Sequence, residues 1–175
     1  RDSSYTGSNA VAISCGENHT AILLNTGEVM ACGNNNKGQL GNNNNTASNI
    51  LVSITAHDGY NKTNAIAISC SKSTCVLLKT GKVLVTGDTN LIHTNEGRVL
   101  YILNEVPNIS NALAINLGSI DYTSGALEII NILLKTGEIK QITNTNSTYI
   151  INNNVYEVTG SSGNYNEKNV IAIAN

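Results

Sequence analysis

The sequence predicts an all-β fold: a partial β-propeller of about three four-stranded antiparallel blades plus the first strand of a fourth. Three observations predict it. The stretch from Ala10 to Gly41 alternates strand-length apolar runs with Gly- and Asn-rich turns and shows no helical period. Its opening, Asn9-Ala10-Val11-Ala12-Ile13, returns as Asn64-Ala65-Ile66-Ala67-Ile68, as Asn111-Ala112-Leu113-Ala114-Ile115 and as Asn169-Val170-Ile171-Ala172-Ile173. Its turn, Leu23-Leu24-Asn25-Thr26-Gly27-Glu28-Val29, returns as Leu77-Leu78-Lys79-Thr80-Gly81-Lys82-Val83 and as Leu133-Leu134-Lys135-Thr136-Gly137-Glu138-Ile139. The copies lie 47 to 58 residues apart, a period that signals repeat architectures, and short strands joined by turns favour propeller blades among them. The 175-residue chain therefore reads as one propeller segment, with repeat 1 at about 9–63, repeat 2 at about 64–110, repeat 3 at about 111–168 and the start of repeat 4 at 169–175.

Taken in order, residues 1–9 are polar and read as a linker or the tail of a preceding blade. The run 10–15 alternates Val11, Ile13 and Cys15 with Ala10, Ala12 and Ser14, so both faces are apolar or small, as in a strand covered on two sides. Ala12 recurs as Ala67, Ala114 and Ala172, and small residues on one face let the next blade approach near the axis. Innermost strands are expected at 11–14, 66–69, 113–116 and 170–174. The step Cys15-Gly16-Glu17-Asn18-His19-Thr20 leads to a second strand at 20–24, and the Gly27 turn to a third at 29–32. Gly27, Gly81 and Gly137 are expected to take positive φ, with Leu23, Leu77 and Leu133 buried beside them. The unit closes on Gly33 to Gly41, too rich in Gly and Asn for helix or strand. Outer strands are expected at 50–54, within 98–106 (ended by Pro107, the only proline) and at 154–158, followed by a loop at 160–164.

These residues carry a resemblance. Cys15-Gly16-x-x-His19-Thr20, the Leu-x-x-x-Gly27-x-Val turn and the exit Gly38-Gln39-Leu40-Gly41 resemble the regulator-of-chromosome-condensation repeat. That family forms β-propellers, typically of seven blades. The second repeat keeps Ser69-Cys70 and the Thr80-Gly81 turn but lacks the His-Thr step and the Gly-Gln-Leu-Gly exit, and the third keeps little beyond its first strand and its turn. The resemblance implies partners such as small GTPases, chromatin, or substrates of ubiquitin ligases that carry such propellers. The family's photoreceptor branch relies on tryptophan clusters, and this chain has no Trp.

Composition narrows the function further. Net charge is −2 with only 13% charged residues, so no global field recruits nucleic acid or a membrane surface. No apolar run reaches about 18 residues. Asn makes up roughly a sixth of the chain. That excess suggests an AT-rich genome, such as that of a large DNA virus or a protist, and lets Asn-x-Ser/Thr triplets arise by chance. The four cysteines do not form a disulfide framework and are expected to be buried free thiols, which suits a reducing intracellular compartment: cytoplasm or nucleus, or a virion or viral factory for a viral protein. His19 has no serine, carboxylate or second histidine in phase with it, so its expected role is a structural hydrogen bond rather than catalysis. Cys70, Cys75 and His93 lack zinc-ligand spacing. No phosphate loop and no paired carboxylates recur.

The expectation is a non-enzymatic protein-binding scaffold without catalytic residues, cofactor or metal. The alternatives are a guanine-nucleotide exchange factor for a small GTPase, and a chromatin- or nucleic-acid-associated protein that would need a basic tail. The third repeat carries about eight extra residues around 120–128. Asp121, Tyr122, Ser124 and Glu128 are thus the candidate partner contacts, because insertions on a propeller emerge on one rim. Three wedge-shaped blades do not close a ring, so the missing blades of a longer chain, or another chain, are expected to complete it.

Overall fold

The computed structural model describes residues 4–56, 59–88, 99–122, 125–145 and 148–152. They form twelve strands and no helix: β1 (Ala10–Cys15), β2 (His19–Leu24), β3 (Val29–Gly33), β4 (Ser48–Ser53), β5 (Ala65–Cys70), β6 (Thr74–Leu78), β7 (Val83–Asp88), β8 (Val99–Glu105), β9 (Ala112–Tyr122), β10 (Gly125–Leu134), β11 (Ile139–Thr145) and β12 (Thr148–Asn152). They make three four-stranded sheets in the meander orders β1-β2-β3-β4, β5-β6-β7-β8 and β9-β10-β11-β12, all pairs within them antiparallel.

The recurring glycine turn explains the repeated hairpin. Gly27, Gly81 and Gly137 have φ of 91°, 83° and 88°, a region costly for residues with a Cβ. Each closes the same pair of bonds: Gly27 N–H to Leu24 O at 2.9 Å and Leu24 N–H to Glu28 O at 2.8 Å, with equivalents at Gly81 and Gly137. The turn also sits on the entry to the next blade. A Cβ on Gly81 would lie 2.7 Å from Ser110 O, and Ala112 N–H donates to Gly81 O at 3.0 Å.

The core lies between the sheets. Ala21, Leu23, Val29, Ala31 and Leu40 of the first blade pack on Ala65, Cys70, Val76, Leu78 and Leu84 of the second. Cys75, Leu77, Val83 and Val85 on the second blade's other face pack on Ile115, Leu117, Ile130, Ile132 and Leu134 of the third. Leu23, Leu77 and Leu133 are all buried. Register shifts at Ala10/Ala12, Ala65/Ala67 and Leu133/Leu134 place an equivalent bulge in each inner hairpin.

Some expectations are corrected. Cys15 is exposed and Cys32 partly so, while Cys70 and Cys75 are buried; all four are free. The reason lies in blade order. Residues on the Cys15 face of an inner strand pack against the preceding blade, so Ile115 is 9% exposed whereas Ile13, in the first blade, is 69% exposed. The third blade's outer strand is Thr148–Asn152, earlier than expected; the segments at 154–158, 160–164 and 170–174 lie outside the described residues. The insertion is not a loop. It lengthens β9 to 11 residues and β10 to 10, against 6 and 5 for β5 and β6.

Candidate protein-interaction rim

Antiparallel register gathers the variable segments at one end of the blades. His19 pairs with Gly33 and Thr74 with Thr86, so the first turn of each blade emerges beside the loop leaving its third strand. This rim holds residues 16–18, 34–47 and 71–73. The third blade's long hairpin ends there too, its strands paired through Tyr122 opposite Gly125.

His19 ties the first blade to the second. Its Nε2 lies 2.8 Å from Thr74 Oγ1, whose single proton goes to Gln39 O at 2.8 Å. The hydroxyl must therefore accept from His19 Nε2–H, which fixes the neutral tautomer. Burial lowers the pKa of His19 to about 4. Gly16 is required beneath the ring, because a Cβ there would collide with the imidazole and with Ser71 O.

The Gly38-Gln39-Leu40-Gly41 exit completes this seam. Leu40 is fully buried, Gly38 O accepts from Thr86 Oγ1 at 3.0 Å, and a Cβ on Gly41 would lie 2.9 Å from both Ile54 and Thr86 methyls. Sequence reading missed Asn35, which organises the loop. It is wholly buried, accepts from Leu40 N–H at 2.9 Å and donates to Asn42 Oδ1, Asn44 O and Thr46 O. In a run of asparagines nothing singled it out.

The second seam uses other chemistry in the same place. Thr20 pairs with Cys15 and Thr74 with Cys70, which makes Ser73 the counterpart of His19. Ser73 donates to a carboxylate of the third blade: Glu128 Oε2 accepts from Ser73 Oγ at 2.7 Å, while Oε1 accepts from the N–H groups of Ser73 at 2.8 Å and Lys72 at 2.9 Å. Glu128 was expected at an exposed tip. It is 6% exposed and holds two blades together, because it lies on β10 at the root of the hairpin, opposite Ser119.

Of the other contact candidates, Asp121 and Tyr122 sit near the tip by register, opposite Ala126 and Gly125. Ser124 lies outside the described residues. Cys75 is fully buried and burial drives its thiol pKa upward, as it does that of Cys70, to about 11. Among the described residues no group of three or more His, Cys, Asp or Glu side chains could hold a metal ion, and no helix is long and apolar enough to cross a membrane.

Four-stranded meanders packed face to face through apolar seams define an all-β propeller segment. Residues 10–39, in the first blade, match the model of the regulator of chromosome condensation (RCC1) repeat. No curated protein matches the sequence. Among solved structures, human WBSCR16 is similar at TM-score 0.64 and 15% identity, covering 76% of this chain and 32% of that one. A structure of Kap60 bound to yeast RCC1 (Prp20) matches at 0.56 and 13%, covering 77% and 32%. Prp20p of Saccharomyces cerevisiae, studied with its binding properties to Gsp1p and histones, matches at 0.54 and 14%, covering 77% and 33%. The chain thus spans about a third of the length of these propellers, and at such identities the likeness is one of fold.

Proposed function

We propose that this chain is a non-enzymatic, intracellular protein-binding scaffold: one propeller segment of three repeats and the start of a fourth, whose rim engages another protein. The observation that carries this reading is the lengthened β9–β10 hairpin, which departs from the plan of the other two blades while its root is anchored to the second blade by Glu128. A rigid base under a protruding tip suits recognition, since a pre-ordered contact loses little entropy on binding. Asp121, Tyr122 and Ser124 are the proposed contacts. Buried Tyr side chains are frequent anchors at interfaces.

The partner class is a small GTPase or a histone-like protein, the two kinds that yeast Prp20p is described as binding. Exchange activity on the GTPase is the second reading, and chromatin association would require basic residues beyond these blades. The test is a titration of the chain against a panel of small GTPases and against histones, with nucleotide release followed in parallel. Saturable binding without faster release, weakened about tenfold or more by Tyr122→Ala, supports the scaffold. Faster release moves the assignment to an exchange factor, and no binding to any member removes this partner class.

A further inference from the structure

The inner strands carry a repeated irregularity that aims one apolar side chain out of every blade. Each inner hairpin advances two residues on its first strand for one on its second. Ala10 and Ala12 pair with Leu24 and Leu23, Ala65 and Ala67 with Leu78 and Leu77, and Ala112 and Ala114 with Leu134 and Leu133. The extra residues are Val11, Ile66 and Leu113, and a bulge of this kind redirects the side chain it inserts. The three strands stand side by side, tied by Ser14 Oγ accepting from Cys70 N–H at 2.9 Å and Ser69 Oγ from Leu117 N–H at 2.8 Å. The bulges therefore form an arc at the end of the blades opposite the rim.

Blade stacking does not cover this arc. Ile13 is 69% exposed in the first blade, whereas its counterpart Ile115, with a blade before it, is 9% exposed. Val11 is 62% exposed, yet Ile66 and Leu113, each with a blade before it, remain 46% and 49% exposed. Aliphatic side chains held out at three equivalent positions mark an interaction surface. The charge beside the arc defines what covers it. Lys79 N–H donates to Asn64 O and Lys135 N–H to Asn111 O, each at 2.9 Å, which places an exposed lysine beside the entry to two of the bulges. Lys62, Lys72 and Lys82 have carboxylate partners in Glu28, Glu17 and Glu105. Among the described residues Lys79 and Lys135 have none, and Lys79 Nζ donates to a carbonyl, Thr63 O, at 3.0 Å. With Glu28 paired to Lys62, Glu138 is the acid that remains in the three glycine turns.

We propose that this arc is a second docking site, which takes a short acidic segment of a partner protein. An aliphatic side chain of the segment lies on Val11, Ile66 and Leu113, and its carboxylates meet Lys79 and Lys135. A basic segment would be repelled by the same lysines, so charge selects the occupant while apolar contact holds it. The site lies at the opposite end of the blades from Tyr122 and does not depend on what the rim binds.

The test titrates the full chain with a labelled peptide, Glu-Asp-Glu-Leu-Leu-Glu-Asp-Glu. Two control peptides carry lysines in place of the acids or serines in place of the leucines. Saturable binding is expected for the first peptide alone. Leu113→Ser, and Lys79→Glu combined with Lys135→Glu, should each weaken it about tenfold or more, with thermal unfolding little changed because all three side chains are exposed. The charge-reversed chain should bind the lysine peptide instead, and Tyr122→Ala should leave binding of the acidic peptide unchanged. No saturable binding, or binding that these variants leave intact, overturns the proposal. Self-association that Leu113→Ser disperses also overturns it, since the occupant would then be a second copy, and so does binding to phosphatidylserine vesicles in place of the peptide.

Discussion

The first and second seams solve one packing problem with different chemistry. In the first, a neutral histidine of the leading blade reaches a threonine of the following blade. In the second, a carboxylate of the following blade reaches back to a serine and two backbone N–H groups of the leading one. Both tie the same turn across the same gap, and both rest on an identical serine-to-backbone bond near the axis. The seam therefore constrains position and polarity more than residue type. A repeat can lose its His-Thr step and remain a blade, provided the neighbouring blade supplies the lost polar partner.

The largest difference between the seams should appear when Glu128 is removed. Glu128→Ala strands two N–H groups and a hydroxyl in a buried site and should cost about 3 kcal/mol in urea unfolding. Glu128→Gln should recover about half of that. A cost under about 1 kcal/mol for Glu128→Ala would show that apolar packing alone holds the second seam. The glycine turn is the shared element and should not distinguish blades: Gly27→Val and Gly81→Val should each cost about 2 kcal/mol, from a positive φ and a Cβ driven into the next blade's entry strand. Unequal costs would mean that the two blades do not share this strain.

Acid should loosen the first seam. The His19 pKa is lowered from 6.5 to about 4 in the folded chain, so the unfolded chain binds the proton more readily. The stability contributed by neutral His19 is complete above pH 6.5 and is lost as pH falls from there towards 4, at roughly 1 kcal/mol per pH unit. His19→Gln should remove that slope over the same window. Parallel pH profiles for parent and variant would show that burial does not shift this histidine. The smallest effect is expected at the hairpin tip, where Tyr122→Ala should change stability by less than about 0.5 kcal/mol while weakening partner binding. A large loss of stability would make Tyr122 a packing residue instead of a contact.

The strand order, the blade count over residues 10–152 and the left-handed glycines were legible in the sequence, because alternation and tight turns are local properties of the chain. A hydrogen bond from His19 was expected from the sequence, and the structure places it on Thr74. Three things were decided only by tertiary structure. Cys15 and Cys70 share a motif, yet one is exposed and the other buried, because burial here depends on which blade lies in front. The insertion near 120–128 read as an exposed tip with two acids, but extending β9 and β10 leaves one acid near the tip and carries Glu128 into a seam. Asn35 was hidden among its neighbours until the loop closed around it. Periodicity reports which face of a strand a residue occupies, whereas the neighbour that covers that face comes from 35 to 56 residues away, and only the stacking of blades determines what it is.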